Sequence, residues 1–304
     1  MELFKSTMNI DFIGKIKWAL LFSIALMAIS VISLLVKGGP RYGLDFEGGT
    51  LVQVKFSKEV DIGAVRDAVS SLNIENVSVQ EFGEKGTHEF IIGMKKTTEE
   101  LEGIADTVRE TLQSRFGAES MEIRRIEIVG PKVGQDLRKK ATLAIIFSLI
   151  GMLIYIWWRF ELRFGVGGVL CLFHDVTITV GFLSIFNKPI DLIIVAALLT
   201  IVGYSINDTI VVCDRIRENL KKMSHKGLPE IINVSINQTF SRTILTNLTV
   251  IIVLFSLYFL GGEVIHDFAF SLLVGCFFGT YSTIYIAGPL VIYWEKIFPA
   301  KRRR

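Results

Sequence analysis

Six stretches of this chain are long and apolar enough to cross a bilayer, and nothing else in the sequence constrains the fold as strongly. They fall roughly at residues 18–36, 141–158, 166–186, 192–213, 243–262 and 268–293, against the ~20 apolar residues one helical span requires. Hydrophobic residues make up 51% of the chain, and they are clumped in these windows. With no water in hydrocarbon, each backbone N–H and C=O must be bonded within its own segment, so such windows fold as helices. The expectation is a membrane all-α bundle of six transmembrane helices. The net charge of +3 is too small to argue for a nucleic-acid partner.

The basic residues predict the orientation. Lys5, Lys15 and Lys17 precede span one; Arg159 and Arg163 follow span two. Arg215, Arg217, Lys221, Lys222 and Lys226 follow span four, and the sequence closes Lys301, Arg302, Arg303, Arg304. The opposite loops carry only Lys188 near 187–191 and no Lys or Arg over 261–267. Short loops rich in Lys and Arg stay in the cytoplasm, so both termini are expected inside. Trp18, Trp157, Trp158 and Trp294 all fall at the expected cytoplasmic ends, as an interfacial aromatic belt requires. The first span reads as uncleaved, since its apolar core is long and "VKGGPRYGLDF" offers no small-residue cleavage site. The three cysteines, Cys171, Cys213 and Cys276, lie in or at the ends of spans and read as small buried apolar residues.

Residues 38–138, between spans one and two, have the pattern of a folded outer domain. "GTLVQVKFS" alternates as a half-buried strand does. Residues 61–72 place Ile62, Val65, Val69 and Leu72 on one helical face. Residues 76–82 and 88–94 read as strands joined through a Gly83–Gly86 turn. Residues 97–117 read as a helix capped by Thr98, with Glu100 and Glu102 in its first turn and Gly117 after its end. A last strand covers 120–130. The order βαββαβ predicts an α+β ferredoxin-like domain. Before it, "GLDFEGGT" (43–50) reads as a turn in which Gly48 and Gly49 supply positive φ, rather than as a cation site at Asp45 and Glu47. After it, "GPKVGQDL" (130–137) reads as a joint leading into span two. The expected domains are thus 1–37 (cytoplasmic N-terminus and first span), 38–138 (outer domain) and 139–304 (spans two to six with a cytoplasmic tail).

The candidate site lies within the membrane. In span four, Thr200, Gly203, Tyr204, Asn207 and Asp208 fall at i, i+3, i+4, i+7 and i+8, one face of a helix. Polar groups facing lipid are costly, so this face should meet other helices or a water-filled cleft. In span five, Arg242, Thr246 and Thr249 share a face, with Thr243 and Asn247 beside it. Asp208 and Arg242 are expected at comparable depth; the competing reading lets Arg242 snorkel to the headgroups. His174 and Asp175 sit near the middle of span three, read either as a functional pair or as a structural hydrogen bond. A metal site there is weak, because adjacent residues on a helix point in different directions. In span six, Gly275, Gly279, Thr283 and Ala287 form a small-xxx-small seam.

The segments "GYSINDTIVVCDRIREN" (203–219), "GLDFEGGT", "GPKVGQDL" and "SRTILTNLT" (241–249) together resemble the motif set of the SecD/SecF family of bacterial protein export, and the resemblance covers the whole chain. That family is similar to the resistance–nodulation–division exporters, which use proton flow to drive outer-domain movement. The resemblance implies a proton-coupled accessory subunit of the inner (plasma) membrane rather than an enzyme, with no cofactor. It implies SecD as a separate polypeptide, the SecYEG channel, YajC and YidC, and translocating preproteins as partners. Its proton-linked acidic position falls on Asp208 and its basic position on Arg242, with Asn207, Tyr204, Thr200 and Thr246 as the supporting polar face. It assigns no role to His174 and Asp175. Two other classes stand against this reading. A proton-driven small-molecule or lipid exporter would have about twice as many spans and two larger outer domains, as the family comparison implies. An intramembrane enzyme would draw on His174, Asp175 and Asp208, but no Ser nucleophile motif or HExxH is present.

Overall fold

The computed structural model describes residues 9–72, 77–82, 87–94, 101–159 and 162–298. Lys5, the Gly83–Gly86 turn, the Thr98 cap with Glu100, and the basic run from Lys301 lie outside the described residues. The chain forms two compact units: one of Met1–Arg41, Ala144–Pro189 and Ile193–Arg304, the other of Tyr42–Leu143 and Ile190–Leu192.

The smaller unit is built on four strands, β1 (Gly49–Phe56), β2 (Val77–Phe82), β3 (Glu89–Met94) and β4 (Met121–Val129). Their order is β2-β3-β1-β4 and every neighbouring pair is antiparallel. A short helix, α2 (Leu44–Glu47), precedes β1; α3 (Ile62–Ser70) follows β1 and α4 (Leu101–Phe116) follows β3. This is the expected βαββαβ sheet. The inward residues of the alternating strands, Val52, Val54, Phe56, Phe90 and Ile92, are buried against Val65, Val69, Val108 and Leu112 of the helices. Asp61 caps α3, its carboxylate accepting from Gly63 N at 2.8 Å. Such a cap contributes about 1 kcal/mol.

The segment 42–50 is more than a turn. Leu44–Glu47 form one turn of helix, and Gly48 follows at φ +75°. Gly43 N donates to Ile190 O at 2.7 Å, and Tyr42 pairs with Ile190 in a parallel bridge. Asp45 Oδ2 accepts from Leu192 N at 3.0 Å, the first residue of α7 (Leu192–Lys222). Asp45 therefore acts as a helix cap supplied from elsewhere in the chain. Gly48 also approaches closely the residues expected to form a joint: a Cβ there would lie 2.9 Å from Pro131 Cα. Those residues form no break. Helix α5 runs unbroken over Pro131–Arg159, with Pro131 at its first position, where a missing N–H costs nothing.

The larger unit contains α1 (Ile16–Val36), the later part of α5, α6 (Leu162–Ile185), most of α7, α8 (Leu228–Leu260), α9 (Gly262–Ser282) and α10 (Gly288–Ile297). Between α9 and α10 the helix widens to a π-turn over Thr283–Ala287, so the last span is one rod with a bulge. Among the described residues, six helical segments are long and apolar enough to span a membrane. Those of α6, α7 and the last span are more than half buried, whereas α1, α5 and α8 are mostly exposed. The former make the bundle interior and the latter present lipid-type surface. Ser33 Oγ meets Ser184 Oγ at 2.8 Å between α1 and α6. Residues 10–13 lie along α8 as a strap. Ile10 N donates to Asn237 Oδ1 and Phe12 N to Asn233 Oδ1, both at 2.9 Å, and Phe12 is buried against Phe240 and Tyr285.

Candidate functional site

Within the membrane-spanning part of helix α7 the side chains are sorted by azimuth. At ~100° per residue, the predicted polar stripe runs in the order Gly203, Asn207, Thr200, Tyr204, Asp208. The first three are exposed, Tyr204 is half-buried and Asp208 is 5% exposed. The stripe is thus split. Only its Tyr204–Asp208 edge turns into the described bundle, and Thr200 and Asn207 face outward from this single chain.

Asp208 Oδ2 accepts from Asn247 Nδ2 of α8 at 2.6 Å. The same amide nitrogen donates to Thr243 O at 2.9 Å. Tyr204 Oη donates to Thr246 O at 3.4 Å, a second link between the two helices. Asn247 Oδ1 and Thr243 Oγ1 are buried and without hydrogen-bond partners. Arg242 is exposed and forms no ion pair with Asp208 among the described residues. The group that touches the carboxylate is therefore Asn247, one of the residues beside the expected face. Its signal in the sequence was a second polar residue, Asn247, one turn from Thr243 in a span.

A second polar centre lies on the neighbouring side of α7. His174 Nδ1 lies 2.8 Å from Asp175 Oδ1, so the two adjacent side chains curl together despite their different starting directions. Asp175 Oδ2 accepts from Ser205 Oγ of α7 at 2.6 Å and from Ser282 Oγ of α9 at 2.9 Å. One turn further, Thr209 Oγ1 and Thr283 Oγ1 are 3.0 Å apart. The small-residue seam of the last span packs here. A Cβ on Gly275 would lie 2.3 Å from Ile201, and one on Gly279 would lie 3.2 Å from Ser205. The seam is an intramolecular contact with α7, residue for residue at four-residue steps. Cys171, Cys213 and Cys276 are buried and unpaired.

A six-span helical bundle with a buried carboxylate between adjacent spans, in a chain that also has a small α+β domain, defines a polytopic membrane protein of the transport kind. The description "Protein export membrane protein SecD/SecF, C-terminal" matches residues 108–297, and "SecD/SecF GG Motif" matches residues 32–60. The protein translocase subunit SecF of Magnetococcus marinus is 45% identical over all of this chain and 97% of its own length. That of Vibrio alginolyticus is 43% identical over 96% of this chain and 91% of its own. The chain belongs to the SecD/SecF family of protein export membrane proteins. A crystal structure of SecDF, described as a translocon-associated membrane protein, superposes with TM-score 0.85 at 34% identity, covering 97% of this chain and 40% of that one. A SecDF structure in a super-membrane-facing form gives TM-score 0.71, also at 34% identity. The chain thus spans about two fifths of the SecDF chains it matches. It is a multi-pass membrane protein with a SecD/SecF role in protein translocation. The small-molecule exporter reading is not favoured.

Proposed function

We propose that this subunit uses the proton motive force to assist preprotein export, and that Asp208 is the group that takes up and releases the proton. The observation that carries this reading is the buried Asp208 carboxylate held at 2.6 Å by the Asn247 amide. An amide suits both protonation states. Its NH2 donates to the ionised carboxylate; after a flip, Asn247 Oδ1, now without a partner, accepts from the protonated acid. Arg242 lies on the same helix, one turn before Thr246, and exposed in the single chain. Its role in this reading is electrostatic: a guanidinium at that depth favours the ionised form of a neighbouring carboxylate, on this chain or on a partner. Thr200, Asn207, Tyr204 and Thr246 form the supporting polar face, and the outward-facing Thr200 and Asn207 fit contact with SecD.

The energetics set the scale. One charge falling through 100 mV yields about 2.3 kcal/mol. Driving a two-state element from 1:99 to 99:1 takes about 5.5 kcal/mol, so the potential alone needs about two or three protons for a full swing. In this reading the chain lies in the bacterial inner membrane with both termini cytoplasmic. It works on the SecYEG channel with YajC and YidC associated, and translocating preproteins meet its outer domain. A reporter after Arg304 then behaves as cytoplasmic and one inserted near Lys85 as exported; the opposite pair of results reverses the orientation. The mechanism is tested by potential-driven export in vesicles carrying Asp208→Asn. Asn keeps the shape and a hydrogen bond but cannot ionise, so stimulation by the potential is lost in an assembled complex. Full stimulation would leave Asp208 a structural residue.

A further inference from the structure

Among the described residues, Asp175 and Asp208 are the buried carboxylates, and Asp175 has the fuller set of partners. Its Oδ1 meets His174 Nδ1, and its Oδ2 takes the Ser205 and Ser282 hydroxyls. No Lys or Arg reaches it among the described residues. Two hydroxyl donors and a ring nitrogen converge on one carboxyl group, and we assign it as an ionised acceptor with the ring proton on Nδ1. His174 is 2% exposed and its Nε2 has no hydrogen-bond partner. In this tautomer Nε2 is a bare lone pair, a smaller penalty than a stranded N–H. The pair then carries one net negative charge inside the membrane bundle, with a vacant basic nitrogen beside it.

We propose that His174 and Asp175 form a second proton-binding site, filled at His174 Nε2. Uptake adds one proton to the Nε2 lone pair and breaks no other bond; the imidazolium then balances the carboxylate and the pair becomes neutral. Release is the reverse. The site rests on the proton-driven reading given above, and it supplies a second of the two or three protons which that reading requires.

The surroundings fit an exchange site. Tyr281 of α9 stacks on the His174 ring with centroids 6.2 Å apart, its hydroxyl donating to Ala19 O of α1 at 2.6 Å and accepting from Ser23 at 3.2 Å. The other titratable groups nearby are Cys171 on α6, whose Sγ donates to Ser282 O at 3.5 Å, and Tyr285, whose ring is tilted against Tyr281 with centroids 5.2 Å apart. Cys276 lies further along α9, and Asp208 is three residues beyond Ser205 on α7. The Ser205, Ser282, Thr209 and Thr283 hydroxyls form a ladder at the contact of α7 with the last span. The π-turn begins at Thr283, and such bulges recur at functional sites. Ser205 and Asp208 lie about 60° apart around α7, so one helix contacts both sites.

The test is 15N NMR of labelled histidine in the full chain, assembled with SecD in lipid. His174→Gln assigns the signal by its loss. On acidification the Nε2 resonance is expected to move from the position of a bare lone pair to that of a protonated nitrogen. Asp175→Asn is expected to change the acidity at which that movement occurs. Ser205→Ala, which keeps the carboxylate, changes it too. Asp208→Asn leaves the titration in place, which separates this site from the fate of the Asp208 mechanism. An Nε2 resonance that keeps its lone-pair position on acidification, or a response untouched by Asp175→Asn and Ser205→Ala, overturns the proposal.

Discussion

Asp208 of α7 and Asn247 of α8 meet at 2.6 Å in the interior of the bundle, the Asn247 amide donating to the carboxylate. Asn247→Leu removes the donor and leaves Asp208 buried without it. A hydrogen bond to a charged group is worth about 1.5–3 kcal/mol. The expected outcome is an assembled complex in which potential-driven export in vesicles falls by more than half. Unchanged export would mean that the amide is dispensable to the carboxylate.

The N-terminal strap depends on two asparagines one turn apart. Asn233 and Asn237 each accept from the strap backbone and donate to Ile10 O, at 3.1 and 2.9 Å. Asn233→Ala with Asn237→Ala removes these bonds while Phe12 keeps its apolar contacts. Cleavage of the strap by added protease is expected to rise several-fold with the six-span core intact. Equal cleavage rates in the variant and the parent would show that Phe12 alone holds the segment.

The βαββαβ domain has its own core and no cysteine among residues 38–130. Expressed alone, that fragment is expected to give a mixed α/β circular dichroism spectrum and a cooperative melt without metal or disulfide. Within it, Ile92→Ala, at a fully buried β3 position, destabilises by about 2–5 kcal/mol. Asp61→Ala, which removes the α3 cap, costs about 1 kcal/mol. A random-coil spectrum of the parent fragment would refute its independence.

The outer domain was legible in the sequence because strands and helices there are half-exposed, and alternation reports which side is buried. Its β1, β3 and β4 lie within a residue or two of the predicted runs. The spans were legible as spans but their facing sides were not. In a bundle surrounded by lipid, apolar residues occupy both the inside and the outside, so only polar residues mark an azimuth. The stripe from Gly203 to Asp208 covers about 140°, wide enough for one edge to be exposed while the other is buried. Asn247 reads as lying beside the polar face, rather than on it, because Arg242 and Thr246 set the apparent stripe. Ser205 and Ser282, which complete the Asp175 centre, read as ordinary small residues until tertiary packing brought three helices together. The cap on α7 was hidden for a related reason: Asp45 and Leu192 lie 147 positions apart.

The contact between α7 and the last span gives the sharpest stability test, because three glycines in two helices have unlike surroundings. Gly275 and Gly279 stand opposite Ile201 and Ser205, at 2.3 and 3.2 Å for an added Cβ, whereas Gly203 has nothing within 4 Å. All three are helical, and replacing a helical glycine by alanine alone favours folding by about 1 kcal/mol. At Gly203 that gain stands unopposed, so Gly203→Ala should be neutral or stabilising in this chain. At Gly275 the new methyl runs into the Ile201 side chain, and overpacking of a tight contact costs about 1–3 kcal/mol; Gly275→Ala should therefore lose the gain and more. Gly279→Ala falls between them, with Ser205 a few tenths of an ångström too near, while Gly279→Leu also drives atoms toward Asp175, which lies 3.6 Å from the alanine Cβ position. The measurement is thermal aggregation of each purified variant in one detergent. The expected order of midpoints is Gly203→Ala highest, then Gly279→Ala, then Gly275→Ala, with Gly279→Leu lowest. A Gly275→Ala midpoint equal to that of Gly203→Ala would mean that α7 and the last span do not approach as closely as the seam requires.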